Sequence, residues 1–593
     1  MTSSFAHHVH DVLKRHADRH HYTWVRDTAA GVVEERVAFG EIDERAAQVA
    51  DGLTRRLETG SRVLLVYASG MDFLPAFLGS LYAGMVPVPA PLPRDGRAME
   101  RISGIVADAE ARLVLTSQES VSGVARLLQE DGRFGALDCA ATDAAPLGDA
   151  ARWRMPEAPG SETVAFLQYT SGSTSEPKGV VVTHGNLLAN EEALSAGLAL
   201  NEGSVMASWL PHFHDMGLMG GLLIPAFVGG DCVLMSPTHF LRRPVHWLQM
   251  MSRHRADATF APNFAYDLCL KRVTEEQIRE LDLSALRACV NGAEPVRART
   301  VADFTERFSA AGLRADAMKP GFGLAEATLV ATLTPPGRAA GSCVVSREEL
   351  ARGRALPSTG EGGVPLISSG RAVIEQVLTV DPRTREELPE ARVGEIWARG
   401  ASIARGYWNK PHDTGETFDA YTAEGAGPFL RTGDLGFLID GELYVTGRSK
   451  DTVIINGRNI YPQDIEQVAE AVHPALAGRV GAAFGTGTGP EHVVIVQEVR
   501  APRLRDVSLR DLALRIREAI VRTFDVTMPS VVLISSGIPR TTSGKIRRRA
   551  CRDAFMSQQL APLHQELAPD VRALLEESAP SPAADRRTAP QPS

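Results

Sequence analysis

Short apolar runs separated by helical stretches recur along most of this 593-residue chain, and that alternation constrains its fold more than any other feature. RVLLVYA (62–68) precedes a helical pattern over 72–84, and ARLVLTS (111–117) follows another over 99–108. VAFLQYTS and GDCVLMS repeat the theme further on. Strand-like runs alternating with helices imply layered α/β architecture with largely parallel sheets. Residues 335–370 break the pattern: they are rich in Gly, Pro and Ser with one short helical patch, and read as an inserted excursion. From 373 to about 444 the short strands VLTV, GEIWARG and GELYV suggest a small β-rich subdomain. A new unit starts after GRSKD (447–451), with helices expected over 462–472 and 509–523 and strands near 493–499 and 531–535. The end, SAPSPAADRRTAPQPS, is low-complexity and is expected to be disordered.

Composition excludes several classes. A net charge of -9 on a chain with 23% charged residues leaves no basic excess, which argues against a nucleic-acid partner. The six cysteines lie far apart with no CxxC pair, the usage of free thiols in a reducing compartment. The greasiest segment, 218–230, contains Pro225 and four glycines and is too short to span a bilayer. The first residues, MTSSFAHHVHDVLKRHADRH, lack a signal-peptide apolar stretch, so a cytoplasmic protein is expected. The histidines crowded there follow no metal spacing and read as a polar surface.

The strongest local signal is YTSGSTSEPKG (169–179), set between two apolar runs. Small residues let the backbone turn tightly, so N–H groups and the hydroxyls of Thr170, Ser171, Ser173 and Thr174 around Gly172 can surround phosphate oxygens. Lys178 adds a cation, and the spacing is not that of a Walker A loop. Four further motifs follow in order: GFGLAEAT (321–328), RTGDLG (431–436), GRSKDTVIINGRNIYPQDIE (447–466) and PRTTSGKIRR (539–548).

Together these five motifs closely resemble those of the acyl-adenylate-forming superfamily of acyl-CoA synthetases, luciferases and nonribosomal adenylation domains. The resemblance covers roughly residues 15–560 and implies an N-terminal adenylation domain (1–446, with an insertion at about 341–370), a hinge (447–451), a small mobile α+β lid (452–565) and a disordered tail (566–593). It implies ATP as co-substrate and Mg²⁺ held by Glu326, a hard oxygen ligand. Lys178 and its loop would hold the β and γ phosphates. Phe322 and Gly323 would lie against adenine, with Gly292, Ala293 and Glu294 opposite. Asp434 would accept hydrogen bonds from both ribose hydroxyls, and Arg448 would contact ribose or phosphate. Lys545 would bridge the acyl carboxylate and the α-phosphate, and Lys450 would mark the hinge. His214, in LPHFHDMGL, corresponds to a histidine beside the acyl-carboxylate site. His212 beside it has only a superficial zinc-ligand look. Taken singly, Asp434 also reads as a turn cap, Lys545 as part of a solvated basic face and Glu326 as a helix-start charge.

The segments at 87–116, 209–223 and 240–269 resemble the fatty acyl-AMP ligase branch. The excursion at 341–370 lies where that branch carries an insertion that restrains the lid. The resemblance therefore implies a medium- or long-chain fatty acid as substrate and the phosphopantetheine thiol of an acyl carrier protein, supplied in trans, as acceptor. An acyl-CoA synthetase using CoA, and a catalytically silent relative, remain the alternatives. Chain length and oligomeric state are not written in the sequence; a monomer is compatible with it.

Overall fold

The computed structural model describes residues 4–28, 31–93, 96–130, 137–170, 177–360, 362–455, 458–487, 492–500, 504, 507–540 and 545–577. They divide into two compact units, residues 1–344 with 365–445, and residues 345–364 with 446–593.

The first unit is built on a nine-stranded sheet. Its six central strands run parallel, in the order Met318–Gly323, Ala288–Gly292, Ala258–Pro262, Val205–Ser208, Asp231–Met235 and His21–Thr28. Burial on both faces explains why these segments are continuous apolar runs rather than alternating ones. In Ala288–Gly292, for example, Ala288 and Val290 enter one core and Cys289 the other. A second, all-parallel sheet joins Val86–Pro91, Arg62–Tyr67, Leu113–Thr116 and Asp138–Ala141. An antiparallel four-stranded sheet begins with Gln376–Val380, Gly394–Arg399 and Leu430–Ile439, the β-rich subdomain read from the sequence. Residues 218–223 form a π-helix whose glycines permit close packing: a Cβ on Gly220 would meet the Phe260 ring at 2.9 Å. Among the described residues no helix is long and apolar enough to cross a membrane.

The second unit packs the helices Pro462–Ala471 and Leu509–Phe524 on a four-stranded sheet through Ile465, Leu512, Ile516 and Ile495. The excursion belongs to this unit. Ser346 caps the helix Arg347–Ala351, and Arg347 stands 3.7 Å from Asp464 and 5.2 Å over the Phe524 ring. Burial pushes the Asp464 carboxyl up to about 6, with Arg347 pulling the other way.

Two expectations need correction. The stretch from 566 onward begins not as disordered tail but as the helix Pro569–Glu577, which buries Val571 and Leu575. The N-terminal histidines are not all surface: His10, on the helix Phe5–Arg15 that packs into the main core, is buried, and so are His16 and His20 beyond it. His10 bonds Asp43 at 2.7 Å, which satisfies a ring that would otherwise be costly to bury.

His184 and His212 are also buried, and burial pushes their imidazoles down to about 4 and about 3. The unfolded chain binds the proton these rings refuse, so stability falls as pH drops from about 6.5 toward those values. At pH 5 each ring is expected to cost about 2 kcal/mol. Thermal unfolding of wild type and His212→Gln between pH 7.5 and 5 checks this; the variant should show the shallower loss.

Candidate active site

The carboxyl ends of three parallel strands of the nine-stranded sheet carry part of the candidate site. His214 follows Val205–Ser208; Ala293 and Glu294 follow Ala288–Gly292; Glu326 follows Met318–Gly323. In open α/β sheets ligands bind at this edge, because the strand ends and their loops converge there.

Glycines set the geometry of the Glu326 segment. A Cβ on Gly323 would stand 1.8 Å from the Leu329 carbonyl oxygen, so this position excludes every other residue. The ladder between Met318–Gly323 and Val330–Leu333 shifts register at Phe322/Gly323. That irregularity turns the chain into the short 3-10 segment Ala325–Ala327 bearing Glu326. Phe322 is buried against Ala331, Ile396 and Leu443.

Of the loop expected to hold phosphate, Ser171, Gly172, Ser173 and Thr174 lie outside the described residues, but both ends of the hairpin are fixed. Tyr169 pairs with Gly179, and the Thr170 N–H donates to the Lys178 carbonyl at 3.3 Å. Gly179 is required because a Cβ there would lie 2.8 Å from the Tyr169 ring. That ring is anchored by a 2.6 Å hydrogen bond from its hydroxyl to Asp108.

Residues 404–408 join the loop to Glu326. They pair with the strand Gly179–Thr183 through Val181 N–H to Gly406 O (2.9 Å) and Trp408 N–H to Gly179 O (2.7 Å). The Ala404 N–H donates to the Glu326 carbonyl at 2.9 Å. Tyr407 thereby faces both groups: its hydroxyl donates to Glu326 Oε1 at 2.8 Å, and Lys178 Nζ lies 5.0 Å from its ring centroid. Burial, then the Glu326 charge, raises the Tyr407 phenol well above its ordinary range, so it remains a proton donor. Lys178 is paired with Asp413 at 3.0 Å, and its hydrogen bond holds that carboxyl below the usual range. Sequence reading missed Tyr407 and Asp413. A tyrosine in ARGYW looks like packing, and only the pairing of 404–408 beside the loop brings it to Glu326.

Asp434 is presented by a bulge. Glu395 pairs with Leu435 and Trp397 with Arg431, so residues 432–434 stand opposite Ile396 alone. Gly433 takes φ +73°, and the Thr432 hydroxyl bonds the Ile396 carbonyl at 2.7 Å while accepting the Asp434 N–H at 3.1 Å. Arg431 secures the base of the bulge with two hydrogen bonds to buried Glu395, at 3.0 and 2.9 Å.

Other expected residues take different positions. Ala293 adopts φ +65°, and Gly292 lies close to the Gly321 carbonyl, where a Cβ would approach to 3.1 Å. The Glu294 carboxylate accepts the Phe264 N–H at 2.6 Å, stabilising the start of the helix Asn263–Arg272. His214 caps the short helix Asp215–Gly217 and lies 2.6 Å from Asp215. His212 is no zinc ligand: it is buried and stacked on Phe73 at 4.1 Å. Arg448, Lys450 and Lys545 belong to the second unit; Arg448 and Lys450 are exposed, and Lys545 is half-buried.

Residues 9–408 match the family model of the AMP-binding enzyme, and residues 450–565 match the AMP domain of Disco-interacting protein 2-like proteins. The chain belongs to the AMP-binding enzyme family. It is 42% identical over 536 residues to the medium-chain-fatty-acid--[acyl-carrier-protein] ligase JamA of Moorena producens, covering 88% of this chain and 90% of that protein. It is 37% identical over 540 residues to the long-chain-fatty-acid--AMP ligase FadD26 of Mycobacterium marinum, covering 88% and 92%. The fatty acyl-adenylate ligase of Legionella pneumophila, solved with acyl adenylate and pyrophosphate, superposes with a TM-score of 0.74 at 34% identity. That superposition covers 95% of this chain and 98% of the other. This AMP-binding enzyme is therefore a ligase of the fatty acyl-AMP ligase group, with the α/β fold and large-plus-small domain plan of those structures.

Tyr407→Phe tests the link between the two charged groups. Losing the hydroxyl that holds Glu326 is expected to slow adenylation about 10- to 100-fold and raise the Mg²⁺ requirement. Thermal stability should change little. Steady-state kinetics across a Mg²⁺ titration, beside a melting curve, checks it.

Proposed function

We propose that the enzyme activates a medium- or long-chain fatty acid with ATP and passes the acyl group to the phosphopantetheine thiol of an acyl carrier protein. The observation that carries the reading is the Lys178–Tyr407–Glu326 cluster at the foot of the phosphate hairpin. The Asp434 bulge lies in the same compact unit. The names of two relatives, a medium-chain-fatty-acid--[acyl-carrier-protein] ligase and a long-chain-fatty-acid--AMP ligase, support it.

A carboxylate is a poor electrophile until its oxygen is converted to a leaving group. A carboxylate oxygen attacks the α-phosphorus of ATP, the bond to the bridging oxygen breaks, and pyrophosphate departs. The product is a mixed anhydride whose later leaving group is AMP. Two anions must meet, so cations have to be in place beforehand. Lys178 and the loop would take the β and γ phosphates, leaving Asp413 as they arrive. Asp434 would fix the ribose through its two hydroxyls, and the segment from Gly292 to Glu294 with Phe322 and Gly323 would bracket adenine. Glu326, a hard carboxylate oriented by the Tyr407 hydroxyl, suits Mg²⁺, which when bound would neutralise phosphate charge. His214 would border the acyl carboxylate. From the second unit, Lys545 would bridge the acyl carboxylate and α-phosphate, and Arg448 would contact ribose or phosphate, with Lys450 in the hinge between half-reactions. In the second half-reaction the thiolate attacks the acyl carbonyl and AMP leaves.

The choice of carrier over CoA is supported by the excursion's membership in the second unit through Arg347, Asp464 and Phe524. Such contacts would bias the unit toward one arrangement, and about 3 kcal/mol would leave another below one per cent populated. A carrier protein offsets the bias with interface energy that small CoA lacks. The experiment is acyl transfer to CoA and to a holo-carrier by wild type and by a variant shortened between Ser346 and Gly360. Wild type should acylate the carrier and make little acyl-CoA, and the shortened enzyme should make more. Rapid acyl-CoA synthesis by the unmodified enzyme would favour the synthetase reading and leave adenylation standing.

A further inference from the structure

We propose that Asp27, His239 and His246 form a binding site for one divalent transition-metal ion of the Zn²⁺ class, separate from the adenylation site. One ligand atom of each lies within 4.8 Å of the others.

The fold makes the three converge. The parallel strands His21–Thr28 and Asp231–Met235 are in register through Val25 and Met235. The chain then leaves the second strand at Ser236, which caps the helix Pro237–Arg242 bearing His239. Asp27 lies two residues past Val25, on the same face of its strand. After Pro244 the helix Val245–Arg253 begins, and its second residue is His246. Two short helix starts and one strand end thus direct three ligand side chains to one point.

The imidazoles are placed as ligands are. His239 Nε2 and His246 Nδ1 face each other across a 2.6 Å hydrogen bond, whose shared proton an entering ion would replace. The rings are nearly perpendicular, at 83°, and therefore do not stack. His239 is buried and also hydrogen-bonds the Val25 backbone. Metal-binding histidines use such a second contact to fix ring orientation. Two nitrogens at about 2.0 Å from a tetrahedral ion are about 3.3 Å apart, so binding requires only that the rings part slightly. Two imidazoles and one carboxylate leave a fourth position for water, a set suited to Zn²⁺ or Co²⁺ and poor for Mg²⁺ or Ca²⁺. Arg243, 3.7 Å from Asp27, is the competing cation and would turn aside as the ion enters.

The test uses the full chain after chelator treatment, with Zn²⁺ titrated against a chromophoric competitor and Co²⁺ as spectroscopic probe. The expected result is one equivalent of Zn²⁺ per chain and Co²⁺ visible bands of a tetrahedral N/O site. Asp27→Asn and His246→Ala, at less buried positions than His239, should each weaken binding at least tenfold. His412→Ala is the control, because His412, Asp413 and Glu416 form another group able to hold an ion. It should leave the stoichiometry and affinity unchanged. Absence of saturable binding, or unchanged affinity in Asp27→Asn and His246→Ala with loss in His412→Ala, overturns the proposal. Acyl-AMP formation should be the same with and without Zn²⁺, which keeps this result distinct from failure of the adenylation reading.

Discussion

Replacing Lys545 by alanine is expected to lower acyl-AMP formation about 10²- to 10³-fold while thiol transfer from supplied acyl-AMP largely survives. The approach of a carboxylate to the α-phosphate concentrates negative charge in the transition state. A single aimed cation there is worth about 3 to 4 kcal/mol. Lys545 belongs to a compact unit other than the one carrying Glu326 and Asp434. A group on a separate unit can serve one half-reaction and be dispensable in the other, because domain rotation is a standard way to exchange catalytic groups. Single-turnover measurement of each half-reaction checks it. Equal loss in both would assign the lysine a structural task.

Asp434→Ala should raise the ATP concentration needed for half-maximal rate by about 10²-fold or more, with the fatty-acid requirement nearly unchanged. Two hydrogen bonds to a charged acceptor contribute about 3 to 6 kcal/mol together before compensation. The bulge that presents Asp434 is held by Arg431, Glu395, Thr432 and Ile396, none of which depends on the Asp434 carboxylate in those bonds. The variant should therefore fold. Initial rates over an ATP titration and a melting curve check both halves of the expectation, and unchanged ATP dependence would remove Asp434 from the nucleotide site.

The layered α/β plan was legible because strands buried on both faces must be continuously apolar, and RVLLVYA and its counterparts are. The motifs were legible because tight backbone turns admit few residues: Gly179 and Gly323 face atoms that any Cβ would strike. What escaped the sequence depends on pairing between distant segments. The Tyr407–Glu326 bond requires 404–408 to lie beside the hairpin of residues 164–183. The bulge at 432–434 is a property of register with Gly394–Arg399, not of RTGDLG itself. The N-terminal histidines looked polar in a row, yet helical spacing turns His10 inward to Asp43 and leaves its neighbour Asp11 exposed. The excursion could be seen as an interruption, but its attachment to the second unit rests on Arg347 meeting Asp464 and Phe524, far along the chain.

The most direct test of the account is a mass-spectrometric screen of fatty acids from medium to long chain with ATP and Mg²⁺, without any thiol. Acyl-AMP and pyrophosphate should form in equal amounts with at least one of these acids. ATP left intact with every acid, by a folded enzyme that binds nucleotide, would contradict it.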